Sequence, residues 1–142
     1  MAMHTWFECK IRYEKVMENG MQKKVTEPYL VDALSFTEAE ARIIEEMTPF
    51  ISGEFTVSDI KRANYSELFP SDEESADRWF KCKLIFITLD EKSGAEKKTS
   101  TQVLVQAADL RDAVKKLDEG MKGTMADYQI GMVSETPLMD VY

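Results

Sequence analysis

Lysines recur beside tryptophan at matched places in a chain whose formal net charge is −8. Lys10 follows Trp6 by four residues, and Lys83 follows Trp79 by the same spacing. Lys23-Lys24 and Lys97-Lys98 come just after Asn19-Gly20 and Ser93-Gly94, residue pairs that tolerate the positive φ of a hairpin turn. Cations next to flat rings can grip phosphate oxygens while a base stacks, which would suit a nucleotide or a single nucleic-acid strand. The competing reading makes the lysines guards of exposed strand edges and the tryptophans part of the core. That structural reading is the preferred one.

Other reactive side chains are sparse. Cys9 and Cys82 are the two cysteines, and each alternates with Phe and Ile or Leu. They read as core thiols and not as nucleophiles or a redox pair. Two cysteines far apart and one histidine, His4, do not make a zinc site. Glu38, Glu40, Glu45 and Glu46 fall where the cap and solvated face of a helix would be, so no general acid is singled out. The six glycines form no phosphate-loop or dinucleotide pattern. The expectation is therefore no catalytic residue, no metal and no cofactor.

Composition narrows the partners. Residues 1–70 carry 8 Lys/Arg against 12 Asp/Glu, and residues 71–142 carry 10 against 14, so neither half is basic. This argues against duplex DNA, whose binding depends on clustered cations and counterion release. No apolar run approaches the roughly 20 residues of a membrane helix. The N-terminus leads straight into a strand pattern without a signal-peptide profile, so a cytoplasmic location is expected.

The elements that would position these residues come in two sets. Trp6-Phe7-Glu8-Cys9-Lys10-Ile11 matches Trp79-Phe80-Lys81-Cys82-Lys83-Leu84 at an offset of 73. Past the first turn the offset is 74, pairing Tyr29-Leu30-Val31-Asp32-Ala33 with Val103-Leu104-Val105-Gln106-Ala107, and Ala39, Glu45 and Met47 with Ala113, Glu119 and Met121. It returns to 73 where Tyr65-Ser66-Glu67-Leu68-Phe69 meets Leu138-Met139-Asp140-Val141-Tyr142. Collinear matches of this kind predict a tandem duplication over residues 6–69 and 79–142.

Each copy reads as β-β-α-β. Phe7, Cys9, Ile11 and Tyr13 alternate with polar residues, the period of a half-buried strand. In the second copy the outward set, Ile85, Ile87 and Leu89, is apolar too, which predicts cover on both faces by the other copy or a second subunit. Pro28 places the second strand at an edge or a bulge. Ser35-Phe36-Thr37-Glu38 has the form of a capping box, with Phe36, Ala39, Ile43, Met47 and Phe50 as the apolar stripe before and beyond Pro49. Asp109 caps the second helix, whose stripe is Leu110, Ala113, Val114, Leu117 and Met121. Third strands are expected over 54–60 and 128–133, and residues 70–75 form a polar, acidic linker.

Three stretches carry a family resemblance: Trp6-Phe7-Glu8-Cys9-Lys10-Ile11-Arg12-Tyr13-Glu14-Lys15, Thr37-Glu38-Ala39-Glu40-Ala41-Arg42, and Glu135-Thr136-Pro137-Leu138-Met139-Asp140-Val141-Tyr142. With them the chain resembles, over nearly its whole length, the family called domain of unknown function 4494. That resemblance implies a source among gut-type Bacteroidetes or their phages, and it brings no activity or site residues with it.

The expected architecture is α+β, with repeats at 1–70 and 71–142 packed about a pseudo-twofold axis as one compact domain. The leading expectation for function is a small non-catalytic binding or interaction module, with a protein partner or homo-oligomerisation. The alternative is a nucleotide or single-stranded nucleic-acid binder, with Trp6, Trp79, Lys10, Lys83, Lys23, Lys24, Lys97 and Lys98 at its site. An enzyme ranks third.

Overall fold

The structure is a computed structural model that describes residues 5–124 and 127–142. His4 lies outside the described residues. The chain is a mixed α+β protein built mostly of strands, with two sheets and two helices among the described residues. Its contacts group into two units, one holding residues up to Asn64 together with Pro137–Tyr142, the other holding Tyr65–Thr136.

In the first unit β1 (Trp6–Val16) pairs antiparallel with β2 (Gln22–Asp32) on one side and β3 (Phe55–Ala63) on the other. The alternation in β1 directs Phe7, Cys9 and Ile11 onto α1 (Phe36–Met47), where they meet Ala39, Ile43 and Met47 in a core whose members are 3% exposed or less. Ser35 caps the helix by accepting a hydrogen bond from the Glu38 amide at 3.1 Å. Phe50, expected on the helical stripe, lies past the last turn and is 76% exposed. Thr48 makes the last regular bond, with both its amide and its hydroxyl on the Ile44 carbonyl, and the helix ends there because Pro49 has no N–H to donate to Glu45.

The second unit has the same order of long elements. Its strands are β5 (Arg78–Leu89), β6 (Glu96–Ala107) and β7 (Asp127–Glu135), with β5 in the middle of these three, and α2 (Leu110–Gly120) comes before β7. Cys82, Leu84, Val103, Val105, Leu117 and Met121 form its main core. Asp109 caps α2 by accepting from the Asp112 amide, and the Asp112 carboxylate accepts from the Ala108 amide in return. Both third strands are longer than the apolar pattern predicts, because a bulge lets them follow the central strand further. Ser58 is the extra residue opposite Lys10 and Ile11, and Gly131 the extra residue opposite Lys83 and Leu84.

The short tails do not stay with the strands they follow. β4 (Glu67–Phe69) adds in parallel to β6, with Leu68 in register with Leu104. Near the other end of the chain Val141 bridges in parallel to Leu30 of β2. The amides of Leu30 and Asp32 point away from β1 and donate to Asp140 and Tyr142. Pro28 shares their parity, so its missing N–H falls on this outer side and the ladder to β1 stays whole.

The acidic stretch expected as a free linker is tied down. Ser71 donates its amide to the Gln106 side chain, and Lys116 of α2 binds the Ser71 hydroxyl and the Glu73 carboxylate, each at 3.1 Å. A third contact, to Asp112 at 3.0 Å, holds the Lys116 ammonium in place.

Candidate functional site

The lysines singled out by the sequence are spread along the strands of their units. Lys10 is half-buried at mid-strand, opposite Pro28 and Asp59. Lys24 stands opposite Glu14, four residues further along β1, which at about 3.3 Å per residue is roughly 13 Å away. Lys23, its neighbour, faces the other side of the sheet beside Lys15. The second unit repeats the separation: Lys83 lies opposite Gln102 and Met132, whereas Lys97 and Lys98 lie opposite Thr88 and Ile87. Within a unit, then, Lys10 does not converge with Lys23 and Lys24, nor Lys83 with Lys97 and Lys98.

The tryptophans differ from each other. Trp79 is 5% exposed, and its carbonyl accepts both the amide and the hydroxyl of Thr136. Its ring has no open face to offer a base. Trp6 is half-buried at the start of β1, between Asp32 and Ala63.

Lys24 does meet a second cation. Arg12 and Lys24 line one open groove of about 590 Å³ with Gln22, Tyr13 and Thr56. Glu14 and Glu54 line it too, so two carboxylates offset the two cations. In the second unit Ile85 occupies the place that Arg12 takes in the first, so the groove has no counterpart of like charge there. An exposed Arg and Lys with local counter-charges make a weak, salt-sensitive anion site.

A polar cluster closes the helix-side core of the first unit. The Glu27 carboxylate accepts from the phenols of Tyr13 at 2.7 Å and Tyr29 at 3.4 Å, with the Lys15 ammonium 3.7 Å away. Burial first, then the hydrogen bond to Glu27 and its charge, push the Tyr13 phenol up to about 12. Tyr29 moves the same way, again by burial first and then the Glu27 charge. Tyr142 stacks on Tyr29 with centroids 6.0 Å apart. The Tyr13 and Tyr29 phenols are hydrogen-bond donors to Glu27, not bases at neutral pH.

The thiols are equally quiet. Cys9 and Cys82 are fully buried and not disulfide-bonded, and burial pushes both up to about 11.

The most distinctive surface is the edge of the second sheet. Among the described residues β7 is its outermost strand, paired with β5 alone. Between Asp127 and Glu135 it carries no charge over seven residues, 128–134. Beside it on the face away from α2, Met132 is 45% exposed, Leu89 is 70% exposed, and Ile85 and Ile87 are half-buried. The cover expected over this apolar set is therefore incomplete. Ile85 lies directly over Gly131, where an added Cβ would come 2.9 Å from its Cδ1. The corresponding edge in the first sheet, β3, is guarded by Asp59, Lys61 and Arg62, with Lys61 paired to Glu8 at 3.2 Å.

A family model spans residues 5–142, nearly the entire chain. The chain belongs to the family described as Domain of unknown function (DUF4494). No curated protein and no solved structure matches it. For this DUF4494 chain the site has to be argued from its own chemistry. Among the described residues, no group of three His, Cys, Asp or Glu side chains is placed to hold a metal ion. Among the same residues, no helix is long and apolar enough to cross a membrane.

Sequence reasoning missed Arg12 and the β7 edge. Arg12 shares the outward parity of Lys10, and the hairpin register brings Lys24 near it, so pairing the strands on paper would have found it. The β7 edge had a signal as well, since 128–134 is the charge-free part of a strand followed by Pro137. What the pattern does not contain is that this strand, and not β6, stands at the rim.

Proposed function

We propose that this protein is a non-catalytic interaction module that binds a protein partner by taking an extended segment onto the free edge of β7. The observation that carries the reading is the uncharged run 128–134 on an outermost strand, with Met132 exposed within it. Natural edge strands are usually blunted by lysine, proline or a covering element, and an edge left smooth is a template for strand addition. Main-chain hydrogen bonds would supply affinity there, and the Ile85, Ile87 and Met132 side chains would select an apolar segment.

Gln129→Lys combined with Met132→Lys places charge along this edge without touching the helix-side core. The double variant is expected to keep the wild-type melting temperature and to lose the partners that the wild-type chain retains under crosslinking. Recovery of the same partners by both chains would remove β7 from the interaction.

We further read the two units as copies of one β-β-α-β repeat. Support comes from the shared element order, from bulges at Ser58 and Gly131 one offset of 73 apart, and from tails that each add to a second strand. Under this reading the charged β3 edge and the smooth β7 edge have diverged, which points to the second copy as the one specialised for binding.

The alternative is a nucleotide or single-stranded nucleic-acid binder, favoured by the Arg12–Lys24 groove. Salt-dependent binding of an oligonucleotide, lost in Arg12→Gln with Lys24→Gln, would favour it over the edge reading.

A further inference from the structure

Two strands run on alone at one end of the first sheet. Among the described residues β3 accompanies β1 only as far as Tyr13, opposite Phe55, while β1 and β2 stay paired to Val16 and Gln22. Three residues a side therefore extend past the third strand, roughly 10 Å at about 3.3 Å per residue. Residues 14–24 are all exposed.

The turn at the end of this ribbon is apolar where water would favour polar side chains. Val16 is 64% exposed, Met17 40% and Met21 67%. Its amides are already partnered: Met17 donates to the Met21 carbonyl at 2.8 Å, Gly20 to the Met17 carbonyl at 2.9 Å, and Met21 to the Asn19 side chain at 3.0 Å. Moving the turn out of water leaves none of these three amides unpaired.

Cations stand on both faces just behind the turn. Lys15 and Lys23 are directly opposite each other on the α1 side of the ribbon, and Arg12 and Lys24 share the other side. Like charges directly opposed cost a strand pair stability, so the Lys15–Lys23 pair is better explained by an outside anion than by folding. Glu27, 3.7 Å from Lys15, and Glu14, opposite Lys24, offset part of this charge. Even so, residues 12–24 hold four cations against the two carboxylates of Glu14 and Glu18, in a chain whose net charge is −8. The turn between β5 and β6 has no such character, because Asp90, Glu91 and Lys92 make it polar.

We propose that the tip of the β1–β2 hairpin docks this protein on an anionic lipid surface. Val16, Met17 and Met21 enter the boundary between headgroups and acyl chains, and the cations behind them meet the phosphates. A stable protein partner covers roughly 800 Å² on each side, more than a narrow turn presents. An apolar anchor in a lipid interface needs to sink only about 5–10 Å, which the projecting ribbon can reach. Basic residues strengthen such anchoring within a Debye length of an anionic leaflet, and charges further away on the chain are screened from the contact.

The wild-type chain is sedimented with vesicles of phosphatidylcholine alone and of equal parts phosphatidylcholine and phosphatidylglycerol. Binding to the mixed vesicles is expected, weakening with added salt and lower by about tenfold on phosphatidylcholine alone. Met17→Ser with Met21→Ser, and Lys23→Gln with Lys24→Gln, are each expected to weaken it by about tenfold at an unchanged melting temperature. No binding to the mixed vesicles overturns the proposal, and so does binding that either pair of substitutions leaves intact. Binding of soluble polyglutamate, lost in the lysine variant and without any vesicle binding, also overturns it and assigns the tip to an acidic protein.

Discussion

Tyr142 stacks on Tyr29, so the far end of the chain completes the polar rim of the first sheet. The same rim holds Tyr13 and Glu27, and its hydrogen bonds require protonated phenols.

Alkaline titration follows from that requirement. The folded chain holds the Tyr13 proton up to about 12, against an ordinary tyrosine value of 10.0, so the folded state keeps more protons than the unfolded one across that window. This contribution to stability is whole below pH 10 and declines as pH rises through the folded value near 12. Urea titrations from pH 9 to 12 are expected to show a shallower decline for Tyr13→Phe than for wild type. Parallel curves would mean that Tyr13 and Glu27 are not coupled.

The buried thiols predict a second pH effect. Cys9 and Cys82 are raised from 9.0 to about 11, so they stay protonated and shielded at neutral pH. A thiol reagent at pH 8 is expected to modify the native chain only at the rate of unfolding, and both cysteines at once in denaturant. Fast native labelling at either position contradicts the burial.

A fully buried helix side chain anchors each core. Ile43→Ala and Leu117→Ala each leave a cavity at a fully buried site, and each is expected to cost about 2–5 kcal/mol by chemical denaturation. Loss of less than about 1 kcal/mol at either site would place that side chain outside the core.

Gly120 tests the docking of β4. A Cβ there would sit 2.8 Å from the Phe69 ring, too close for that ring to remain where it is. Gly120→Ala raises helix propensity yet is expected to destabilise the second unit by about 1–3 kcal/mol through overpacking. Adding Phe69→Ala should remove the clash, so the double variant loses less than the two single losses combined. Simple additivity would show that ring and helix do not touch.

Much of the local structure was legible because it follows from spacing. Alternation placed Phe7, Cys9, Ile11, Phe80, Cys82 and Leu84 inward, and the Ser35 and Asp109 caps fixed where the helices begin. The tails were not legible, since Leu68 and Val141 read equally well as closing their own copies. Which strand accepts a tail depends on geometry that local pattern does not encode. The bound state of residues 71–73 was hidden for a related reason: their polar composition is the same whether they face water or Lys116. For the candidate site, the sequence offered lysines as recurrent chemistry, but the register spaces them out along each unit. The smooth edge at β7 became distinct only once strand order was known.

The docking of residues 137–142 on the outer side of β2 has a consequence for synthesis. A ribosome releases the first sheet well before residues 137–142 exist, an interval on the order of 10 s at typical elongation rates. Through that interval the acceptors that Asp140 and Tyr142 supply to the Leu30 and Asp32 amides are not yet made. The second unit has no such wait, because β4 is translated before the β6 strand it joins. The N-terminal half is thus the late-maturing half, and it is the one that a holdase chaperone would be expected to meet first on polysomes.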